Sequence, residues 1–172
     1  MSESFSFEDV QLFTAGTVGE PGARVFYLQA APRGGTPVSL KCEKQQVGAL
    51  AEYLSGVIAD LPPTEPADGS MELVEPVLAE WVAGTMSVAY DAESDRIVLQ
   101  IDELVDESTL DPDQPEPDPA SVRVRLTRAQ VVSYIQHATD LVEAGRPMCP
   151  LCGHPKGPDH ACPKTNGHGP PR

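Results

Sequence analysis

Val38-Ser-Leu-Lys-Cys-Glu-Lys-Gln-Gln-Val47 and Val122-Arg-Val-Arg-Leu-Thr-Arg-Ala-Gln-Val131 carry the same change of pattern. In each, apolar residues first alternate: Val38, Leu40 and Cys42, then Val122, Val124 and Leu126. Alternation places those side chains on one face of a strand. The spacing then becomes helical. From about Lys44 to Asp60, residues Val47, Leu50, Ala51, Leu54, Val57, Ile58 and Leu61 form one apolar stripe, and Pro62-Pro63 stops the helix. In the second stretch Thr127 opens a helix with Gln130 three residues on, the signature of a capping box. Val131, Tyr134, Ile135, Ala138, Leu141 and Val142 make its stripe, and Gly145 ends it.

Two earlier blocks align in the same order. Phe13-Thr-Ala-Gly-Thr-Val18 matches Trp81-Val-Ala-Gly-Thr-Met86, and Arg24-Val-Phe-Tyr-Leu-Gln29 matches Arg96-Ile-Val-Leu-Gln100 with one residue fewer. Strands are expected around Asp9 to Thr17 and Arg24 to Ala30, joined through Gly19-Glu-Pro-Gly22, and around Val82 to Tyr90 and Arg96 to Leu104, joined through Asp91 to Asp95. Gly16, Gly19 and Gly22 with Arg24 superficially suggest a phosphate-cradling loop. Such a loop joins a strand to a helix N-terminus, and this one joins two strands, so a hairpin turn is the reading.

The expectation is an α+β domain of two duplicated β-β-β-α units, an antiparallel sheet packed on two helices, with a pseudo-twofold axis between the halves. The domain is assigned to residues 1–146, with halves at about 5–61 and 71–145, and a tail at 147–172. Pro62 to Ser70 reads as a linker. Pro76 interrupts the apolar residues of Met71 to Ala79, whose type is left open. Residues 105–120, rich in Pro and Asp, read as a mobile acidic loop.

The tail holds three of the four cysteines. Cys149-x2-Cys152, Cys162 and His168 read as a Cys₃His zinc set, with His160 the rival for the fourth position and His154 a lesser one. A Cys-x2-Cys turn aims two thiolates at one ion, and Gly153 permits the tight backbone. Redox dithiols open a helix after a strand, whereas prolines surround this pair. Apart from cysteines only Met148, Leu151 and Ala161 are apolar, so the metal must supply the folding energy. A full ligand set leaves no open position for zinc catalysis.

Composition narrows the function. The net charge of −14 and a tail without aromatics oppose nucleic-acid binding, which needs a positive surface. No apolar run approaches membrane-helix length, and MSESFSFEDV lacks the features of a signal peptide, which points to the cytoplasm. Cys42 shares a face with Val38 and Leu40 and reads as a core thiol. His137 reads as a surface residue without a partner. No Ser-His-Asp or paired-carboxylate arrangement stands out.

GTVGEPGARVFYLQ near the start, with CPLCGHP and HACPKTNGH at the end, resembles an uncharacterised actinobacterial family of unknown function. That resemblance implies neighbours of two kinds, a histidine-phosphatase-like and a kinase-like protein, and no activity. The leading expectation is a non-catalytic, zinc-containing adaptor or regulator with a protein partner. The alternative is an enzyme or small-ligand-binding protein with a site at the seam between the halves, where Arg24 and Arg96 are first candidates.

Overall fold

The computed structural model describes residues 2–20, 22–144, 148–154, 156 and 160–165. Short β1 (Phe5–Phe7) is followed by β2 (Leu12–Val18), β3 (Val25–Ala31), β4 (Val38–Cys42) and α1 (Lys44–Ala59). Then come β5 (Ala79–Asp91), β6 (Arg96–Glu103), β7 (Ser121–Leu126) and α2 (Arg128–Ala144). Among the described residues the fold is mixed α+β, with seven strands in one sheet and two α-helices. β1 has no counterpart in the sequence reading, because three residues are too few to show a period. The end assigned to α2 at Gly145 lies outside the described residues.

The sheet runs in the order β1-β7-β6-β5-β4-β3-β2. Most neighbours are antiparallel as expected, but β4–β5 and β1–β7 are parallel. The parallel pair follows from connectivity: α1 carries the chain out of β4 before it returns as β5, and such crossovers join parallel strands. Strands β2, β3 and β4 are followed across the sheet by β5, β6 and β7 with the same succession of directions. The two runs thus follow one another across the sheet in the same sense.

The sheet must also be rolled. β1 and β2 lie at opposite edges, yet only Glu8 to Gln11 separate them. Seven flat strands would hold the edges about 29 Å apart at about 4.8 Å per strand, whereas the five residue-to-residue steps from Phe7 to Leu12 reach at most about 18 Å. The core lies inside this curve. Leu28, Leu40, Ile97, Leu99, Ile101, Val122, Val124 and Leu126 face Val47, Leu54, Val131 and Tyr134 of the helices, all at most 2% exposed. The Phe13 and Tyr134 rings stand 5.2 Å apart, and Tyr134 donates to the Val47 carbonyl.

Each helix begins with a glutamine that performs two tasks. Gln46 Oε1 accepts the Glu43 N–H, and Gln130 Oε1 accepts the Thr127 N–H, while Thr127 Oγ1 accepts the Gln130 N–H in return. The amide nitrogens reach outward, Gln46 to the carbonyls of Ala83 and Gly84, Gln130 to that of Val10. The caps therefore also pin the helices to the sheet.

The segment between α1 and β5 is more than a linker. Ala67 donates to the Ala129 carbonyl in the first turn of α2. Further on, the Met71 carbonyl accepts from Thr14 Oγ1, and Gln29 holds Val74 at two points, Nε2 to its carbonyl and Oε1 from its N–H. Thr14, Gln29 and Ser39 sit opposite one another on β2, β3 and β4, on the face away from the helices, and all are at most 1% exposed. Residues 67–74 thus form a strap around the β2 edge, which covers a buried polar row.

Candidate metal centre

Pro150 and Leu151 lie in a turn whose ends are tied to each other: Gly153 donates to the Cys149 carbonyl at 2.9 Å, and Cys149 donates to the His154 carbonyl at 2.8 Å. Gly153 has φ +73°, a left-handed conformation that glycine adopts without a Cβ penalty. This turn brings Cys149 and Cys152 to one side. His160 and Cys162 reach the same point from an irregular stretch that ends in a short 3₁₀ turn at Pro163–Thr165.

One ligand atom from each of Cys149, Cys152, His160 and Cys162 lies within 4.8 Å of all the others. Cys149 Sγ and Cys162 Sγ are 3.8 Å apart, and Cys152 Sγ and His160 Nε2 are 3.5 Å apart. Zinc–sulfur bonds of about 2.3 Å and zinc–nitrogen bonds of about 2.0–2.1 Å make tetrahedral edges of about 3.8 Å for S···S and about 3.5 Å for S···N. The donor set therefore fits a metal ion of that size. The 3.8 Å separation is far beyond a disulfide bond of about 2.05 Å.

The electrostatics favour a thiolate at Cys149, which is 5% exposed. The backbone N–H groups of Cys152 and Leu151 point at its sulfur and, with His160 and Cys152 adding side-chain hydrogen bonds, pull its pKa down to about 6. At Cys152 the His154 N–H pulls the same way, but partial burial and the neighbouring Cys149 and Cys162 outweigh it and raise the thiol. A cation in the centre would stabilise all three sulfurs as thiolates.

Of the residues expected at the site, Cys149, Cys152 and Cys162 come together. The rival His160 stands with them. His154 is exposed and offers its backbone carbonyl instead. His168 lies outside the described residues. A signal for His160 was present in the sequence: it stands only two residues from Cys162, close enough for both side chains to serve one site.

Elsewhere, Cys42 is 4% exposed in the core, and burial, then the Glu43 charge, push its thiol up to about 12. The expectation for His137 needs correction. It is half-buried, and its Nε2 lies 2.8 Å from the Ala15 carbonyl on β2. The helix face that reads as polar in one dimension is turned against the edge of the rolled sheet. Gly19 (φ +111°) and Gly22 (φ +90°) shape the connection between β2 and β3, as the hairpin reading requires. Arg24 lies in that connection, just before β3, and Arg96 begins β6, with β4 and β5 between those two strands in the sheet. A different cavity, of about 430 Å³, opens between β2, the strap and α2, with Phe13, Met71, Gln130 and Ser133 in its walls.

Among the described residues no helix is long and apolar enough to cross a membrane. The family described as "Protein of unknown function (DUF3090)" matches residues 5–162, and the chain belongs to that family. No curated protein matches the chain.

Proposed function

We propose that this DUF3090 protein is a non-catalytic adaptor or regulator in which the C-terminal module, residues 147–172, is held by one zinc ion and presents a surface to a protein partner. The observation that supports it is the four-atom cluster, whose 3.8 Å and 3.5 Å separations match the edges of a zinc tetrahedron. Four protein ligands leave no position for a reacting water, so the ion's role is structural. Met148 and Leu151 stand 61% and 54% exposed on the module, available to a partner. A net charge of −14 argues against a polyanionic one. The first partners to test are the histidine-phosphatase-like and kinase-like neighbours that the sequence resemblance implies. Tagged protein from native cells should retain a partner in zinc-replete buffer and lose it with Cys149→Ser. Recovery of no partner under either condition would remove the adaptor reading.

The two β-β-β-α runs are in our reading a duplication. The alignment equates Gln46 with Gln130, and both cap a helix and reach a neighbouring carbonyl. It also equates Gln29 with Gln100, which lie opposite Ser39 and Arg123 at equivalent register positions.

A second reading is a small-ligand site, which the cavity of about 430 Å³ favours. Both halves and the strap line it, and its volume lies within the usual range of ligand pockets, about 300–1,000 Å³. Filling it with Ser133→Trp should abolish a ligand-induced rise in melting temperature. A metabolite panel that raises no melting temperature in the unaltered protein would sink this reading.

A further inference from the structure

We propose that the same cluster is a thiol-oxidation site, in which peroxide converts Cys149 and Cys162 to a disulfide and expels the metal; this rests on the zinc reading above. Three features carry it. The Cys149 and Cys162 sulfurs are 3.8 Å apart, so bond formation needs an approach of about 1.8 Å to the disulfide length of about 2.05 Å. Cys152 and Cys162 are both partly exposed, so an oxidant of peroxide size reaches the cluster from solvent. The described part of the module has no apolar core to keep its shape once the ion leaves, since its larger apolar side chains, Met148 and Leu151, are mostly exposed.

The chemistry balances with hydrogen peroxide as the named oxidant. The Cys162 thiolate attacks one peroxide oxygen, the O–O bond breaks, and hydroxide leaves behind a sulfenic acid. The Cys149 thiolate then attacks that sulfur, the S–S bond forms, and a second hydroxide departs. Two thiolates give up two electrons, and the hydroxides take two protons to become water. Cys152 and His160 remain as two ligands, too few to retain zinc, which leaves as the hydrated ion. The disulfide joins chain points separated by 12 intervening residues, so the segment stays closed in a different shape. A partner surface built on the metal form is thereby lost under oxidation and recovered on reduction.

The full chain contains its own control, because Cys42 is sealed in the core. Zinc-loaded protein is titrated with hydrogen peroxide, and zinc release, disulfide mapping and alkylation after denaturation are read together. The expected result is release of the bound zinc in step with a Cys149–Cys162 linkage, while Cys42 still alkylates and a dithiol reductant plus zinc restores the starting state. Zinc retained at peroxide doses that oxidise Met148 overturns the proposal. So does zinc release with a different linkage or with sulfinic acids alone. A chain that takes up no zinc before peroxide is added sinks the metal reading itself, which separates the two failures.

Discussion

His160 and Cys162 illustrate how much a single spacing decides. Two residues apart on an irregular stretch, they deliver an imidazole and a thiolate to the point where the Cys149–Cys152 turn already directs two sulfurs. His160→Ala should weaken zinc binding more than about 100-fold, beyond the loss usual for an outer-shell partner. His168→Ala should leave it unchanged. Competition against a chromogenic chelator distinguishes the two, and the reverse ranking would return the fourth ligand to His168. Cys42 carries a different prediction. Its thiol is raised from 9.0 to about 12 by burial and then by Glu43, so the folded state holds it neutral where an unfolded chain would ionise it. That contribution is fully present below pH 9.0 and is lost as pH rises toward 12. The melting temperature should therefore fall across this window, and less steeply in Cys42→Ala. Identical slopes in the two proteins would refute the role of the thiol.

At the scale of elements, the strap is the least expected piece. Its partners lie on β2, β3 and α2: Thr14 meets Met71, Gln29 meets Val74, and Ala129 and Ser133 meet Ala67. Gly16 belongs to the same contact, because a Cβ there would stand 2.5 Å from Leu73 Cγ. Gln29→Ala removes three hydrogen bonds, two to Val74 and one to Ser39, and strands buried polar groups. The cost should be about 1–3 kcal/mol per group left unsatisfied. Amide exchange should accelerate at Val74 far more than in α1. Unchanged exchange at Val74 would show that apolar contacts alone hold the strap. None of this could be read from periodicity, since the strap has neither a helical nor a strand repeat and bonds through its backbone to residues 45 and 57 positions away.

The whole molecule divides by where its apolar area sits. Among the described residues every member of the buried core cluster falls between Val10 and Ala138, and none from the C-terminal Cys/His module joins it. Chelation should consequently unfold the module while leaving the main thermal transition of the domain within a degree or two. Calorimetry with and without chelator checks this, and loss of the main transition on chelation would show that the ion also holds the domain. The acidic loop meets the body at its neck, where Glu103 donates to the Ala120 carbonyl at 2.7 Å, so its removal should be similarly local.

Strands β2 to β7, the two helices, the capping glutamine of α2, the core thiol and the three clustered cysteines were determined by the sequence alone. Each depends on neighbours within a few positions: alternation, helical spacing, a Cys-x2-Cys turn closed by glycine. The order and curvature of the sheet were decided only by the tertiary structure. The parallel β4–β5 pair, the pairing of β1 with β7, the strap on the polar row and the approach of His137 to β2 all join residues distant along the chain. Local pattern reports which face of an element is apolar. It does not report which other element will cover that face, because that choice is made by connection length and by the closing of one shared core.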